Sequence, residues 1–453
     1  MSIFQTLTSP NRLVYVLGVS VGLLVFLTAV LVLRGFGTGN NAPETRAEII
    51  FWGVFDDPRV MRLALDRFQS LHPSIKVDYK LFSYATYERD VIEALASGRG
   101  PDVWMIHHTW LPKHKAKLAP MPDRALGADG PLMTQREFQE AFVDVAQKDL
   151  LSEGKIYSLP IYVDSLALYW NRDLFNAAGI ENPPRTWEEF NQAVEKLTTR
   201  DDRQNIVRAG AAIGSARNIN RSTDILSALM LQSGVQMTDV DGTEATFSRS
   251  VNNQAVGEVA LQYYTDFTNP GKVTYTWNDS QHYSVDAFVE GRAAMMFNYA
   301  HQIDAVRARA PRLNIAIAPI PQHAQQLARQ DVRTYANYWT PVVSAASPFI
   351  DQAWELVDFL ASEEGATLYL AESRRPAALR SIIARQKTDP DLGVFADQAL
   401  TAQSWFQADA GAIETIFAEM IDSVNFGRSS AREALRNAEA RVSVLIQELR
   451  RKR

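Results

Sequence analysis

The stretch Gly154–Phe190 decides the fold, and it reads GKIYSLPIYVDSLALYWNRDLFNAAGIENPPRTWEEF. Its first apolar segment, IYSLPIYV, predicts a short strand that breaks at Pro160, because proline lacks a backbone N–H and cannot occupy a central sheet position. The next segment, SLALYW, alternates apolar residues and predicts a second strand. A short helix around Asp173–Ala178 should end at Gly179, a common helix C-terminal residue. Thr186-Trp-Glu-Glu189 has the pattern of a helix capping box. The stretch therefore predicts a chain crossing at which Asp164 is exposed, followed by the start of a new lobe.

The order of these features resembles a known family. Its motifs are a Gly-Lys pair, a proline-containing strand, an acidic residue, a Tyr-Asn-Lys-Asp-Leu-like turn and a Pro-Pro-x-Thr-Trp-Glu-Glu segment. In this chain they are Gly154-Lys155, Pro160, Asp164, Trp170-Asn171-Arg172-Asp173-Leu174 and Pro183-Pro184-Arg185-Thr186-Trp187-Glu188-Glu189. The pattern looks like the extracellular solute-binding proteins of ABC importers, in particular the sugar-binding class that includes maltose-binding protein. Trp170 departs from it, since tyrosine is more usual there.

Two further segments carry the resemblance toward the end of the chain. Phe288–Tyr299 resembles the helix, glycine and Ala-Met strand of the family, and Gly427–Leu435 resembles its closing turn and helix. The resemblance spans about Glu48 to Leu449. It implies an α/β, two-lobed periplasmic-binding-protein-like fold of type II, with a hinge and an interlobe cleft. We expect lobe 1 to comprise 47–161 plus 293–343, and lobe 2 to comprise 162–292 plus 344–453.

Hydrophobic periodicity supports an α/β fold at the start of this region. Apolar strands at Glu48–Trp52, 75–79 and 103–106 alternate with helical patterns. A β-α-β-α-β order predicts a parallel sheet covered by helices.

The composition narrows the functional classes. The chain has 453 residues, of which 46% are hydrophobic and 22% charged, so it can form two or three domains or lobes. Its formal net charge of −6 argues against a nucleic-acid partner, which needs a basic surface. Cysteine is absent, which excludes disulfides, thiolate catalysis, cysteine-ligated metals and a lipoprotein anchor.

The N-terminus contains a long apolar run. Leu13–Leu33 carries no charge and is bounded by Arg12 and Arg34. At about 1.5 Å per residue, it reaches roughly 30 Å, the hydrocarbon thickness of a bilayer. We therefore expect one transmembrane anchor at 13–33, with a cleaved signal peptide as the alternative. The flanking charges do not decide orientation; we favour a short cytoplasmic tail at 1–12 and a flexible, extracytoplasmic tether at 34–46.

The implied cleft suggests the ligand-binding residues. Ligands bind beyond the carboxyl ends of strands in open α/β sheets. Aromatic rings offer flat apolar area to sugar C–H faces, and carboxylates and amides hydrogen-bond to hydroxyls. The candidate residues are Trp52, Asp56, Trp110, Tyr162, Asp164, Asn298, Tyr299, Tyr338, Trp339 and Trp405. Each has a structural alternative in core packing, a helix cap or a hinge hydrogen bond. Arg374 and Arg375 either face the cleft or form ion pairs.

Catalysis and metal binding have weaker support. Asp56 and Asp164 would form a glycosidase acid pair only at a separation of about 5–9.5 Å, which the sequence does not establish. His107 and His108 are adjacent in a strand and point to opposite faces, so a shared metal ion is not expected. We expect no cofactor and no catalytic residue.

Together these observations predict a membrane-anchored, extracellular substrate-binding component of an ABC transporter. It would capture a sugar or oligosaccharide by hinge closure and deliver it to ABC permease subunits in the membrane. We expect the protein itself to be a monomer. The sequence has no GxxxxGK loop, so the ATPase must be another polypeptide. The alternative is a ligand-binding sensor that acts through a membrane partner.

Overall fold

The computed structural model describes residues 47–123 and 130–452. The expected tail, transmembrane anchor and tether, residues 1–46, lie outside the described residues. Within the described ranges, no helix is both long enough and apolar enough to cross a membrane.

The described chain contains both strands and helices along its length. The strands are β1 (Ala47–Val54), β2 (Ile75–Phe82), β3 (Val103–His107), β4 (Leu151–Ser152), β5 (Lys155–Ile156), β6 (Asp164–Ser165), β7 (Ala167–Asn171), β8 (Thr199–Arg200), β9 (Ile206–Arg208), β10 (Met295–Asn298), β11 (Ile315–Ala318), β12 (Thr334–Asn337), β13 (Trp339–Val343) and β14 (Ala402–Gln403).

The helices lie between and around these strands. They are α1 (Pro58–Leu71), α2 (Tyr84–Ala96), α3 (Leu111–His114), α4 (Gln135–Ala141), α5 (Asp144–Leu150), α6 (Arg172–Ala177), α7 (Trp187–Leu197), α8 (Ser222–Gln232), α9 (Val256–Asp266), α10 (Ser284–Val289), α11 (Ile303–Arg309), α12 (Ala324–Arg329), α13 (Ile350–Ala361), α14 (Glu363–Ser373), α15 (Arg380–Gln386), α16 (Gly393–Ala399), α17 (Ala410–Asn425) and α18 (Ala431–Arg451).

The first lobe is built on a four-stranded sheet of order β13-β3-β1-β2. Strands β1, β2 and β3 are parallel, as the β-α-β-α-β pattern predicts, and β13 joins β3 in the antiparallel sense. Helix α1 packs on this sheet through Met61, Ala64, Leu65 and Phe68, which recur at the three- and four-residue spacing of one helix face. The helix-covered sheet forms one hydrophobic core.

The second lobe is built around β7, the strand predicted from SLALYW. Strands β10 and β11 flank β7, both antiparallel to it. Helices α7, α8, α9, α17 and α18 contribute buried side chains to the same core. This core is separate from that of the first lobe.

A small hinge sheet, of order β14-β12-β6, joins the two lobes. Strand β12 pairs parallel with β14 and antiparallel with β6. Each of the three strands lies where the chain passes from one hydrophobic core to the other, so the lobes are connected by three crossings. The two-lobed α/β fold expected from the resemblance is present in the described residues.

The lobe boundaries differ from those expected. Of the segment 293–343, β10 and β11 pair with β7 and belong to the second lobe, whereas β13 belongs to the first. Of the segment 344–453, α13 to α15 bury residues such as Trp354 and Ile383 in the first lobe's core. Long-range strand pairing and helix docking, which local sequence does not encode, place these segments.

Two local signals in the opening stretch, the capping box and the glycine helix end, are confirmed, and one is not. Thr186 accepts a hydrogen bond from the Glu189 backbone N–H, and Glu189 reaches back to the Thr186 N–H to complete the capping box of α7. Gly179 ends the short helix α6 with φ of +68°, a left-handed conformation that glycine adopts without a Cβ clash. Between Tyr157 and Val163 the chain forms no strand, so the segment around Pro160 is an irregular crossing rather than the expected strand.

We predict that Gly257→Ala destabilises the protein by about 1–3 kcal/mol, because overpacking a close contact has costs of this size. A Cβ on Gly257, in α9, would lie only 2.1 Å from the carbonyl oxygen of Phe247. Gly411→Ala in α17 is the matched control, since its Cβ would meet nothing nearer than 3.8 Å. Alanine there should stabilise the helix by roughly 0.4–1 kcal/mol. Urea denaturation of both variants measures the difference, and equal effects would contradict the close packing of α9.

Candidate functional site

The cleft between the lobes begins where the parallel strands of the first lobe end. Phe55 follows β1, Tyr84 begins α2 just after β2, and His107 is the last residue of β3. Trp339, the first residue of β13, pairs with His107 and therefore lies at the same edge. The carboxyl edge of this sheet thus gathers aromatic side chains, as expected for a ligand-binding edge.

These side chains form an aromatic wall, defined as Phe55, Tyr84, His107, Trp110 and Trp339. Trp339 is at its centre: its ring lies 4.9 Å from Trp110, 5.4 Å from Phe55, 5.7 Å from His107 and 6.0 Å from Tyr84, measured between centroids. Phe55 and Tyr84 also contact each other, at 5.2 Å. The mutual contacts hold the rings in place before any ligand arrives.

The outer part of the aromatic wall is open to solvent. Phe55 is 53% exposed and Tyr84 is 58% exposed. Phe55 also has φ of +71°, in a tight turn closed by a hydrogen bond from the Asp56 N–H to the Val54 carbonyl. A left-handed conformation at a bulky residue is strained, and such strain persists where the surrounding structure enforces it, commonly at functional sites.

The second lobe presents polar side chains, which we call the polar wall: Asn220, Arg221, Tyr283, Tyr299 and Glu414. Four of them, all except Tyr299, line a cavity of about 270 Å³. Asn220 donates a hydrogen bond to the Tyr283 hydroxyl at 2.7 Å and accepts one from the Asn298 side chain at 3.2 Å. The Tyr299 hydroxyl donates to Asp224 at 2.8 Å. The polar wall is therefore built on the segment before α8, the residue after β10, the N-terminal cap of α10 and the first turns of α17.

Arg221 is the least satisfied member of the polar wall. Its backbone is left-handed, with φ of +66°, at the N-terminal cap of α8. The guanidinium lies over the Tyr299 ring at 5.4 Å. Its Nε is buried and has no hydrogen-bond partner among the described residues. A buried donor left in this state favours a ligand that accepts from it.

The two walls lie close enough to affect each other's protonation. Desolvation raises the pKa of Tyr84, and the Glu414 carboxylate of the second lobe raises it further. Burial lowers the pKa of His107 well below its ordinary value, and the charges of His108 and Arg221 add to the decrease. His107 is therefore a neutral imidazole at physiological pH. The cleft is lined by aromatic rings on one side and by charged and amide groups on the other.

Three of the residues expected from the sequence lie in these walls. Trp110 and Trp339 are in the aromatic wall, and Tyr299 is in the polar wall, where its fully buried ring lies beneath the Arg221 guanidinium. Whether they contact a ligand stays a prediction.

Asp56 and Tyr162 lie together beneath the aromatic wall. The Asp56 carboxylate is buried and accepts hydrogen bonds from the Arg375 guanidinium at 2.7 Å and from the Tyr369 hydroxyl at 2.8 Å. Arg375 also lies over the Tyr162 ring, at 4.4 Å. The Tyr162 hydroxyl accepts from the Trp339 backbone N–H at 3.2 Å. We call Asp56, Tyr162, Tyr369 and Arg375 the floor network, because they support the Trp339 backbone from below. Of the two alternatives for Arg375, the structure shows a buried ion pair.

Asp164 and Asn298 orient the backbone between the walls. Asp164, in the hinge strand β6, accepts hydrogen bonds from the Ser165 and Ala300 backbone N–H groups at 2.8 and 3.1 Å. Asn298 is fully buried and accepts from the Tyr299 N–H at 3.0 Å while it holds Asn220. The expected exposure of Asp164 at the crossing is wrong, because its carboxylate is buried against these donors.

The remaining three candidates pack against protein. Trp52 stacks on Phe82 at 4.0 Å. Tyr338 is buried, stacks on His108 at 4.5 Å and donates to Asp149 at 2.9 Å. Trp405 is buried in the core of the second lobe, where it stacks on Phe417.

The sequence analysis missed several wall residues. Tyr84 obeys the same rule that predicts Trp110 and Trp339, since it follows the parallel strand β2. Arg221, Glu414 and Tyr283 carry no comparable signal, because they lie at helix starts whose packing depends on distant segments. Phe55 satisfies the rule as well, because it directly follows β1.

A larger cavity, of about 990 Å³, lies elsewhere in the second lobe. It is formed by α7, the segment 318–332 and the end of α16, and it contains no residue of either wall. It is therefore distinct from the interlobe cleft.

Comparison with known proteins identifies the family. Residues 56–367 match the family model described as bacterial extracellular solute-binding protein. The chain belongs to this family. The resemblance seen in the sequence is confirmed, and the family is one of binding proteins.

Individual relatives of this solute-binding protein are distant. A binding protein of Brucella abortus (strain 2308) is 24% identical over 340 residues, covering 74% of this chain and 76% of the relative. The sn-glycerol-3-phosphate-binding periplasmic protein of Pectobacterium atrosepticum is 21% identical over 433 residues, covering 91% and 94%. The crystal structure of the cyclic alpha-maltosyl-1,6-maltose binding protein from Arthrobacter globiformis superposes with a TM-score of 0.72 at 18% identity, covering 88% and 99%. The structural likeness supports the fold.

An ion bridge connects the two lobes of the solute-binding protein beside the cleft. Lys113 of the first lobe lies 2.9 Å from Glu88 on its own lobe and 2.9 Å from Asp409, the N-terminal cap of α17. Burial disfavours the Glu88 carboxylate, but hydrogen bonds from His114 and Lys113 outweigh it and lower the pKa of Glu88 to about 2. Lys113 thus contacts charged partners on both lobes.

We predict that Arg375→Ala lowers the free energy of unfolding of this solute-binding protein by about 3–5 kcal/mol, since it leaves the Asp56 carboxylate buried without its cation. The adjacent Arg374→Ala is the control. Arg374 is 48% exposed and pairs with Asp391 at 2.9 Å, and exposed pairs contribute under about 1 kcal/mol. Guanidinium chloride denaturation distinguishes the two. Similar losses in both variants would contradict the supporting role of the floor network.

Proposed function

We propose that this protein is the substrate-binding component of an ABC transporter and that it captures a sugar or oligosaccharide between the aromatic wall and the polar wall. The observation that carries the proposal is the pairing of exposed rings, Phe55 and Tyr84, with the buried, unpaired Nε of Arg221 and the exposed carboxylate of Glu414 across one cleft. Membership of the solute-binding family supports it.

The two walls match the two kinds of surface on a sugar ring. Aromatic faces pack against the apolar C–H groups, and they do so at low entropic cost because each ring has few torsions. Amide, carboxylate and guanidinium groups satisfy the hydroxyls, and those that are charged make the stronger hydrogen bonds. A glycerol phosphate would use the polar wall but would leave the large aromatic area without a partner.

Hinge closure would enclose the ligand. The short hinge strands β6, β12 and β14 connect lobes whose cores are separate, which is the arrangement in which a few backbone torsions absorb a domain rotation. We propose that the closed, ligand-bound form is the one presented to a permease. The names of relatives include both a glycerol 3-phosphate binder and an oligosaccharide binder, and the aromatic wall favours the latter.

The hydrogen bonds of Asp56 and Asp164 support a proposal of binding without catalysis. Asp56 is held by Arg375 and Tyr369, and Asp164 is held by two backbone N–H groups. Both carboxylates of the acid pair considered from the sequence therefore already have hydrogen-bond partners within the protein.

The sugar assignment predicts a specific binding result. The purified protein should be stabilised in a thermal-shift screen by at least one neutral sugar from a panel of mono-, di- and oligosaccharides, with micromolar-order affinity worth about 8 kcal/mol. Tyr84→Ala should weaken binding about tenfold, which corresponds to about 1.4 kcal/mol. Its control is Phe426→Ala, since Phe426 is 58% exposed but caps the far end of α17 from Glu414. A response to peptides or ions alone would refute the sugar assignment.

We also propose that residues 13–33 anchor the protein in the cell membrane as a single span, with 1–12 cytoplasmic, 34–46 as a tether and the two-lobed part extracytoplasmic as a monomer. The uncharged run in the sequence supports this arrangement.

The anchor predicts that the full chain, expressed in bacterial cells, sediments with membranes and resists extraction by high salt. A protease added to cells with a permeabilised outer layer should digest the tether and release the two-lobed part. Recovery of a soluble protein that begins after residue 33 would favour the cleaved signal peptide instead.

A further inference from the structure

The cavity of the polar wall contains two opposite charges that are not paired with each other. Arg221 and Glu414 both line the space of about 270 Å³. In the described part of the chain, neither side chain makes an ion pair or a hydrogen bond with another residue, although each lies in the other's electrostatic field. Other charged groups nearby are committed: Arg217 pairs with Asp422 at 2.9 Å, and Asp224 accepts from Tyr299.

Only some ligand groups satisfy both charges at once. A hydroxyl accepts a hydrogen bond from a guanidinium and donates one to a carboxylate. A carboxylate or phosphate only accepts, so it satisfies Arg221 but is repelled by Glu414. An ammonium only donates, so it satisfies Glu414 but is repelled by Arg221. Hydroxyl-bearing, uncharged ligands are therefore the class that fits this pair.

The electrostatic surroundings strengthen the discrimination against anions. Asp224 interacts electrostatically with Arg221 from inside the protein, while Glu414 lines the cavity. Arg217 also lines the cavity, but Asp422 offsets its charge, so an incoming anion would meet Arg221 opposed by Glu414 in the cavity and by Asp224 behind it. The cavity is also small, just below the roughly 300–1,000 Å³ typical of pockets for drug-sized ligands. It has room for about one sugar ring.

We infer that Arg221 and Glu414 are the specificity-determining residues of the cleft, and that they form a subsite for one uncharged sugar unit whose hydroxyls bridge the two side chains while acidic sugars are excluded. This inference rests on the proposed sugar-binding function. Tyr283 and Asn220, hydrogen-bonded to each other, form the rim of the subsite.

The test compares neutral sugars with their acids. Glucose, galactose and mannose are titrated by calorimetry beside glucuronate, galacturonate and mannuronate. The wild-type protein should bind at least one neutral sugar, and its acid at least about tenfold more weakly. Glu414→Gln removes the repulsion, so the acid should gain affinity while the neutral sugar loses up to about tenfold. The preference should shrink to about threefold or less, which corresponds to about half of the original difference in log affinity.

Two other variants separate specificity from folding. Glu419→Gln makes the same charge change on the same helix, at a residue paired with Arg441 at 2.6 Å, and should leave the preference unchanged. Arg221→Met should weaken the neutral sugar by at least about tenfold, with no loss of the cooperative thermal transition. This variant tests the pair even if Glu414→Gln alters the cleft.

The outcomes distinguish this inference from the proposed function. Binding of an acid as tightly as its neutral sugar to the wild-type protein overturns the inference and leaves sugar binding in place. An unchanged preference in Glu414→Gln also overturns it. Failure of all six probes, together with failure of the oligosaccharide panel, refutes sugar binding itself and the inference with it.

Discussion

The buried ion pair between Asp56 and Arg375 is the contact on which the cleft depends. It joins the turn after β1 to the loop after α14, and Arg375 in turn covers Tyr162 at the first crossing between the lobes. The Tyr79 hydroxyl fixes the same turn by donating to the Asp56 carbonyl at 2.8 Å. Tyr79 fits there because Gly53 has no Cβ, which would otherwise lie 2.0 Å from the Tyr79 hydroxyl. These contacts enforce the strained conformation of Phe55 and so the position of its ring.

The fold could be predicted where the signals are local. The capping box at Thr186, the glycine end of α6 and the parallel order of β1, β2 and β3 each follow from neighbouring residues or from one short repeat of strand and helix. Lobe membership after residue 293 could not be predicted in this way. It depends on the pairing of β10 with β7, more than 120 residues earlier in the chain, and hydrophobic patterning does not specify a strand's partner.

The candidate site was predictable to a similar degree. The strand-end rule placed Trp110 and Trp339 in the aromatic wall, and it would also have reached Tyr84. The same rule proposed Tyr338, but alternate residues of a strand face opposite sides, and Tyr338 points into the first lobe toward Asp149. Trp405 shows a second difficulty: an aromatic residue in a loop can pack into a core as readily as it can line a cleft, and Trp405 packs into the core of the second lobe. Arg221 and Glu414 become a pair only after the chain has folded.

The bridge at Lys113 has a consequence for how the lobes separate. If they move apart, Lys113 keeps its contact with Glu88, and Asp409 keeps its hydrogen bond to the Ala412 N–H at 3.1 Å. Neither charge is then stranded in an apolar environment, which is what makes the loss of a buried ion pair expensive. Both side chains are also about one-third exposed, so water and salt ions replace the lost contact readily. The Lys113–Asp409 ion pair is therefore easily broken and re-formed: it orients the lobes when they approach and opposes their separation only weakly.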